Sequence, residues 1–166
     1  VYLEHNKEIK QLYCFMKQSA GLLLFRKTGQ DLEFFLVHPG GPFFAKKDAG
    51  FWTIPKGELM EAEDPLDAAI REFEEETGFK PKGTFIMLNP IVQKGGKKVL
   101  CWAVEGDFDP TKIQSNTFEI EWPPRFGKMK TYPELDKAAW FKYEVAIKFI
   151  NERQIPFLDE LSSIVD

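Results

Sequence analysis

Cysteine and histidine are scarce in this chain, two of each in 166 residues. Cys14 and Cys101 are too few for a disulfide framework, and Cys101 lies in the apolar run from Val99 to Val104, so both read as reduced core or near-core residues. His5 and His38 show no HExxH spacing and stand beside no cysteine cluster, which argues against a zinc site. His38 ends a predicted strand and reads as a loop-edge residue. No serine or cysteine occupies a nucleophile motif. No apolar run approaches the roughly 20 residues of a membrane helix, and no charged-then-apolar leader opens the sequence. The expectation is a cytoplasmic protein with no membrane partner. A net charge of −4 gives no general surface for nucleic acid, so no stable nucleic-acid partner is expected. Repeats and low-complexity linkers are also missing. What the chain does have is 43% hydrophobic and 14% aromatic residues, enough for one globular domain with a sizeable core.

Ser19 to Arg26 and Leu32 to His38 read as strands joined by a turn at Thr28, Gly29 and Gln30. Residues 1–15 form either an N-terminal helix or an extension upstream of a start at Met16, and residues 16–166 form the single domain. From His38 to Gly50 glycine and proline predict a loop, and Phe51 to Ile54 a short strand. Further strands are expected at Thr84 to Met87, Ile91 to Gln93 and Val99 to Glu105, the last two joined by the Gly95–Gly96 turn. Residues 107–136, with several prolines and aromatics, read as a long functional loop. Ala138 to Phe141 closes the strand list, and Tyr143 to Asn151 and Phe157 to Ile164 read as helices. The fold class is α+β with a mixed sheet.

The richest segment lies between Gly57 and Phe79. Asp64 and Pro65 supply an N-cap and a first helical residue, and Gly78 a stop, so a helix is expected over 65–77. At about 100° per residue, Glu72, Glu75 and Glu76 share one face, while Leu66, Ile70, Phe73 and Thr77 cluster on nearly the opposite side. Three crowded carboxylates repel one another and raise each other's pKa unless a cation neutralises them. Mg²⁺ or Mn²⁺ suits such oxygen donors and commonly bridges protein acids to substrate phosphates. Arg71 lies one turn from both Glu75 and Asp67 and holds the acidic face in register. Glu63, just outside the helix, is a candidate further metal contact.

Gly57, Glu63, Arg71, Glu72, Phe73, Glu75, Glu76, Gly78 and Phe79 fit G-x5-E-x7-R-E-U-x-E-E-x-G-U without departure, U being a bulky apolar residue. This resembles the box of the Nudix hydrolases. The resemblance implies an α/β/α sandwich, with the box as a loop-helix-loop, and a metal-dependent cleavage of a phosphoanhydride in a nucleoside diphosphate linked to another moiety. It also implies metal ligation by Glu72, Glu75, Glu76 and the Gly57 carbonyl. The general base is either Glu75, the first choice within the box, or an acid on a later loop, where Glu119, Glu121 and Glu134 are available.

The string FWTIPKGE is similar to the corresponding segment of diadenosine polyphosphate hydrolases, which makes Lys56 a candidate phosphate contact; Lys46, Lys47, Lys97 and Lys98 are candidates for extending that path. The tyrosine such enzymes often carry sixteen to eighteen residues after the box is absent, since positions 94 to 97 are Lys, Gly, Gly and Lys. Tyr132, with Phe43, Phe44, Trp122 and Phe126, is a candidate base-stacking residue, whereas Trp52, Trp102 and Trp140 read as structural. The expected substrate is a nucleoside triphosphate or dinucleoside polyphosphate. The alternatives are a sanitising hydrolase of oxidised or noncanonical nucleoside triphosphates and a noncatalytic nucleotide-sensing or RNA-binding domain.

Overall fold

The run from Ser19 to Phe25 is buried at every position rather than at alternate ones, the pattern of a strand covered on both faces. In the computed structural model, which describes residues 17–165, it lies within β1 (Gln18–Thr28), at the centre of the sheet. β1 pairs in parallel with β6 (Lys98–Glu105), Gln18 opposite Lys98 and Phe25 opposite Glu105. On its other edge it pairs antiparallel with β2 (Asp31–Pro39) at Phe25 to Thr28 and with β3 (Lys56–Glu58) at Ser19 to Gly21. The short strands β4 (Ile86–Met87) and β5 (Ile91–Val92) both run antiparallel to β6. One parallel pair among antiparallel ones makes the sheet mixed, as expected.

α1 (Pro65–Thr77) covers one face, where Ala20, Leu22, Leu24, Leu100 and Val104 meet Ala68, Ala69 and Phe73. α2 (Tyr143–Phe149) and α3 (Ile155–Val165) cover the other, where Leu23, Cys101, Ala103 and Ile54 meet Ala146, Phe157, Leu158 and Leu161. This is the α/β/α sandwich. Burial raises the pKa of the Cys101 thiol, consistent with an inert core residue. No helix among the described residues is long and apolar enough to cross a membrane. The expectations for residues 1–15, including His5 and Cys14, lie outside the described residues.

Three expectations need correction. Phe51 to Ile54 is not a strand: Trp52 and Thr53 make single bridges, to Ile150 and Val37, and Pro55, lacking an N–H, separates them from the ladder that starts at Lys56. Residues 107–136 are not one loop. They hold a 3₁₀ turn (Pro110–Lys112) and a hairpin of β7 (Thr117–Glu121) and β8 (Met129–Pro133), and β9 (Leu135–Lys142) follows at once and pairs with β2. In β7 the alternation Phe118, Ile120 inward and Glu119, Glu121 outward is a strand period. His38, finally, is not a loop-edge residue. It is fully buried, with Nδ1 2.7 Å from an Asp136 carboxylate oxygen and Nε2 2.6 Å from the Lys47 carbonyl, and so ties the 39–50 segment to β9.

Candidate active site

α1 has the ends that its sequence implies. The Asp64 carboxylate accepts from the N–H groups of Leu66 and Asp67 at 3.0 and 3.1 Å, and Gly78 closes the helix in the left-handed conformation at φ 78°, donating to the Glu74 carbonyl. The small side chains of Ala68 and Ala69 centre the buried stripe, with Phe73 and Thr77; Leu66 and Ile70 lie only partly buried beside it. This rotation changes the acidic row. Glu75 is exposed and Glu72 half-buried, but Glu76 is only 6% exposed. Glu76 therefore does not stand on the same solvent face as the other two. β3 crosses over it, and the Lys56 N–H donates to its carboxylate at 3.2 Å.

Gly57, the middle residue of β3, faces α1 so closely that a Cβ there would overlap the Glu72 carboxylate. Only glycine permits this approach. It brings the β3 backbone against the helix acids, as a backbone ligand beside carboxylate ligands requires.

Arg71 gathers most of the remaining acids. Its Nε donates to Glu63 Oε1 at 2.7 Å and its Nη2 to Glu63 Oε2 at 3.0 Å, a bidentate fork. Nη1 donates to Glu72 at 2.9 Å and to both Glu75 oxygens at 3.2 Å, and Nη2 also reaches the Glu58 carbonyl at 3.3 Å. Of the two partners expected for Arg71, Glu75 is bonded; the bonds of Asp67 are those of the cap. Glu63 accepts the Met60 N–H as well, and the Arg71 bond followed by that N–H hold its carboxyl below the usual range. Both Glu63 oxygens are thus engaged in fixing the guanidinium.

The electrostatics of the row follow from burial. Burial raises Glu72, against the Arg71 bond and charge and with the help of Glu75 and Glu134. Burial also pushes Glu76 up to about 8, reinforced by the charges of Glu72 and Glu134 and opposed by Lys56. Lys56 is lowered by burial and by Lys97, with Glu76, Glu72 and Glu58 opposing. Burial thus draws both Lys56 and Glu76, which are joined through the Lys56 backbone N–H and form no ion pair among the described residues, toward their neutral forms.

Glu134 is brought to this row from the far end of the chain. It sits half-buried at the junction of β8 and β9, its N–H donating to Asn116 at 2.9 Å and its carbonyl accepting from Gly40 at 2.8 Å, while the Asn116 N–H donates to the Glu75 carbonyl at 2.9 Å. Glu119 and Glu121 are not brought there. They project from the outer face of β7, and Glu121 accepts the Gly127 N–H within the hairpin turn at 2.9 Å. The signal separating the three was present: Glu119 and Glu121 alternate with apolar residues, whereas Glu134 follows Pro133 at a strand junction.

The aromatic candidates divide. Tyr132 is half-buried against Phe118, ring centroids 6.1 Å apart, and Phe118 in turn lies against Gly41. Phe43 and Trp122 meet edge to face at 5.3 Å, and Phe126 is 73% exposed. Phe44 lies near Phe51, with the Lys47 ammonium over both rings. Trp52 and Trp102 are core residues, and Trp140 is pinned by its N–H to the Phe108 carbonyl and lies under Arg26. Lys97 pairs with Glu58 at 3.1 Å, while Lys46 and Lys98 have no ion pair among the described residues.

The residues fit a hard divalent cation. Every donor on offer is oxygen, and the repulsion among Glu72, Glu76 and Glu134 is the kind that such an ion relieves. Among the described residues no three acids converge at ligating distance; Glu72 and Glu75 are bonded to Arg71.

Comparison with known proteins agrees with this geometry. A model of the NUDIX domain matches residues 16–161. An asymmetrical bis(5'-nucleosyl)-tetraphosphatase of Rattus norvegicus is 30% identical over 105 residues, covering 55% of this chain and 67% of the rat protein. A probable DHNTP pyrophosphohydrolase of Lactococcus lactis is 38% identical over 130 residues, 78% of this chain and 65% of that protein. The chain thus spans about two thirds of these relatives. Among solved structures, a Caenorhabditis elegans Ap4A hydrolase binary complex superposes with a TM-score of 0.63 at 24% identity, covering 89% of this chain and 97% of that one.

Proposed function

The chain belongs to the Nudix family, and from that premise we propose that it is a divalent-metal-dependent pyrophosphohydrolase, delivering water to a phosphoanhydride of a nucleoside triphosphate or dinucleoside polyphosphate. The observation that carries this reading is the Glu76 carboxyl, 6% exposed and bonded, among the described residues, only by the Lys56 N–H at 3.2 Å, beside a Glu72 carboxylate that leaves no room for a Cβ on Gly57; burial raises both acids.

Glu72, Glu76 and the Gly57 carbonyl, with Glu75 at the exposed end, would hold Mg²⁺ or Mn²⁺. When bound, the ion neutralises phosphate oxygens and acidifies a water. Arg71 positions Glu72 and Glu75 through its fork on Glu63. Lys56, at the Glu76 end of the row, offers a point charge to a substrate phosphate. Glu134 accepts the proton of the attacking water: it is near enough for its charge to act on Glu72 and Glu76, and it takes part in no ion pair among the described residues. Glu75, the alternative base, has both oxygens on Arg71.

The two curated relatives carry different substrate names, and the phosphoanhydride is what those substrates share. The test is a screen with Mg²⁺ and Mn²⁺ over nucleoside triphosphates, diadenosine polyphosphates, dihydroneopterin triphosphate, ADP-ribose and nucleotide sugars, with products identified. Metal-dependent release of a phosphate or pyrophosphate product is expected, and Glu134→Gln should lower kcat by roughly a hundredfold as loss of a general base. A panel with no turnover in either metal overturns the reading.

A further inference from the structure

β9 breaks its own period. Ala138 and Trp140 pack with the α1 cluster, and Ala139 and Phe141 with the cluster under α2 and α3, as strand alternation requires. Continued backward, the alternation would place Asp136 on the α1 side and Leu135 on the other. Leu135 is instead buried in the α1 cluster. The phase reverses because β9 carries one residue more than β2 at this point: His38 stands opposite Lys137 and Pro39 opposite Leu135, which leaves Asp136 as the extra residue of a β-bulge.

The bulge is held by a side chain. The Asp136 carboxylate meets His38 Nδ1 at 2.7 Å, and the fully buried His38 ring is fixed in turn, with Nε2 2.6 Å from the Lys47 carbonyl and its edge against Trp52 at 5.5 Å between centroids. Both polar partners are acceptors, so the ring meets them together by donating from each nitrogen, and Asp136 supplies the balancing charge. Glu134 stands just before the reversal. Its backbone is tied on both sides, to Asn116 and Gly40, and the next N–H, that of Leu135, donates to Ser115 Oγ at 2.9 Å. The direction of the Glu134 side chain therefore follows from where the bulge sets Leu135. A slip of one residue turns the side chains of a strand to the opposite face. Closing the bulge would turn Glu134 away from Glu72 and Glu76, on which its charge now acts.

We propose that His38 and Asp136 are positioning residues for the reaction, their bond holding the bulge that aims Glu134 at the acidic row. The proposal rests on the hydrolase reading above, with Glu134 as the base, and gives the buried histidine a part in turnover that it plays entirely through another residue. Asp136 is partly exposed, so replacing it opens no hole in the core.

The test is a double-mutant cycle in Mg²⁺, on whichever nucleotide of the panel above is turned over. Asp136→Ala should lower kcat by about tenfold or more and leave KM within about twofold, because a misdirected base costs rate rather than binding. In a Glu134→Gln background the same substitution should cost less than about twofold, since no base is left to aim. The amides of asparagine and glutamine fall near the Nδ1 and Nε2 positions, so His38→Asn keeps the bond to Asp136 and should recover most of the rate that His38→Gln, bonded only to Lys47, loses. Equal losses from Asp136→Ala in both backgrounds, a loss confined to KM, equal rates for the two His38 variants, or a lower melting temperature at undiminished kcat overturns the proposal. A crystal structure of Asp136→Ala gives a readout free of any assay: the Glu134 carboxylate is expected to have turned from Glu76, and Glu134 found in place overturns the bulge argument. Absence of turnover throughout the panel counts against the hydrolase reading, and that structure then decides the positioning by itself.

Discussion

The two ends of the acidic row on α1 are built on opposite principles. At the outer end Arg71 spreads one guanidinium over Glu63, Glu72 and Glu75, so the protein supplies these acids with a cation of its own. At the inner end Glu76 is buried with the charges of Glu72 and Glu134 upon it and only a backbone N–H as a direct donor. The first arrangement is held together by ion pairs within the protein. The second is held at a cost in stability, because burying a carboxyl without a partner cation disfavours its charged form. The difference lies in what each acid has for a partner: Glu63, Glu72 and Glu75 share a guanidinium, and Glu76 has none among the described residues.

The largest test removes the inner acid. Glu76→Gln keeps an acceptor for the Lys56 N–H but removes the charge, and should lower turnover by roughly a hundred- to a thousandfold. It should also stabilise the metal-free protein, with a sign fixed by the shift. The folded state holds the Glu76 proton up to about 8, against the ordinary 4.5, so the penalty on folding is absent below the lower value, grows as pH rises between them, and is complete above the higher. In EDTA the melting temperature of Glu76→Gln should exceed that of the wild type by about 5 °C at pH 9 and match it at pH 4.5. A difference independent of pH would mean that Glu76 is not the strained group.

A smaller effect is expected at the outer end. Arg71→Lys keeps a positive charge but cannot fork across Glu63 while reaching Glu72 and Glu75. Activity should fall by about tenfold, with some loss of thermal stability. Glu63→Gln should resemble it. A Glu63→Gln loss as large as that of Glu76→Gln would instead make Glu63 a direct metal ligand and erase the contrast between the two ends.

What the sequence disclosed follows the same division between local and distant causes. The bounds of α1 were legible because a cap is chemistry within a few residues: Asp64, Pro65 and Gly78 act on backbone groups beside them. β1 and β6 were legible because they are almost wholly apolar. The burial of Glu76 was not, because it depends on β3 crossing the helix, and Lys-Gly-Glu, with no apolar residue, carries no strand signal. Nor was the β7–β8 hairpin, whose inward residues are only half-buried and whose seat is made elsewhere: a Cβ on Gly40 would overlap the Pro133 carbonyl, and one on Gly41 would press on Phe118. The convergence of Glu134 on the box depends on that seat and inherits its invisibility.

The least effect should come from Glu119 and Glu121, and its smallness is informative. Both were candidates for the base on composition alone, since both lie in the segment that also contains Glu134. The strand period turns them outward, and the Gly127 N–H gives Glu121 a purely local partner. Glu119→Gln and Glu121→Gln should each change kcat less than about twofold, the range of surface substitutions away from special contacts, and leave its pH profile in place. Should Glu121→Gln instead remove the acidic limb of the pH–rate profile while Glu134→Gln does not, the hairpin must swing over the box during turnover, and the inner end of the row would be completed by β7 rather than by the β8–β9 junction.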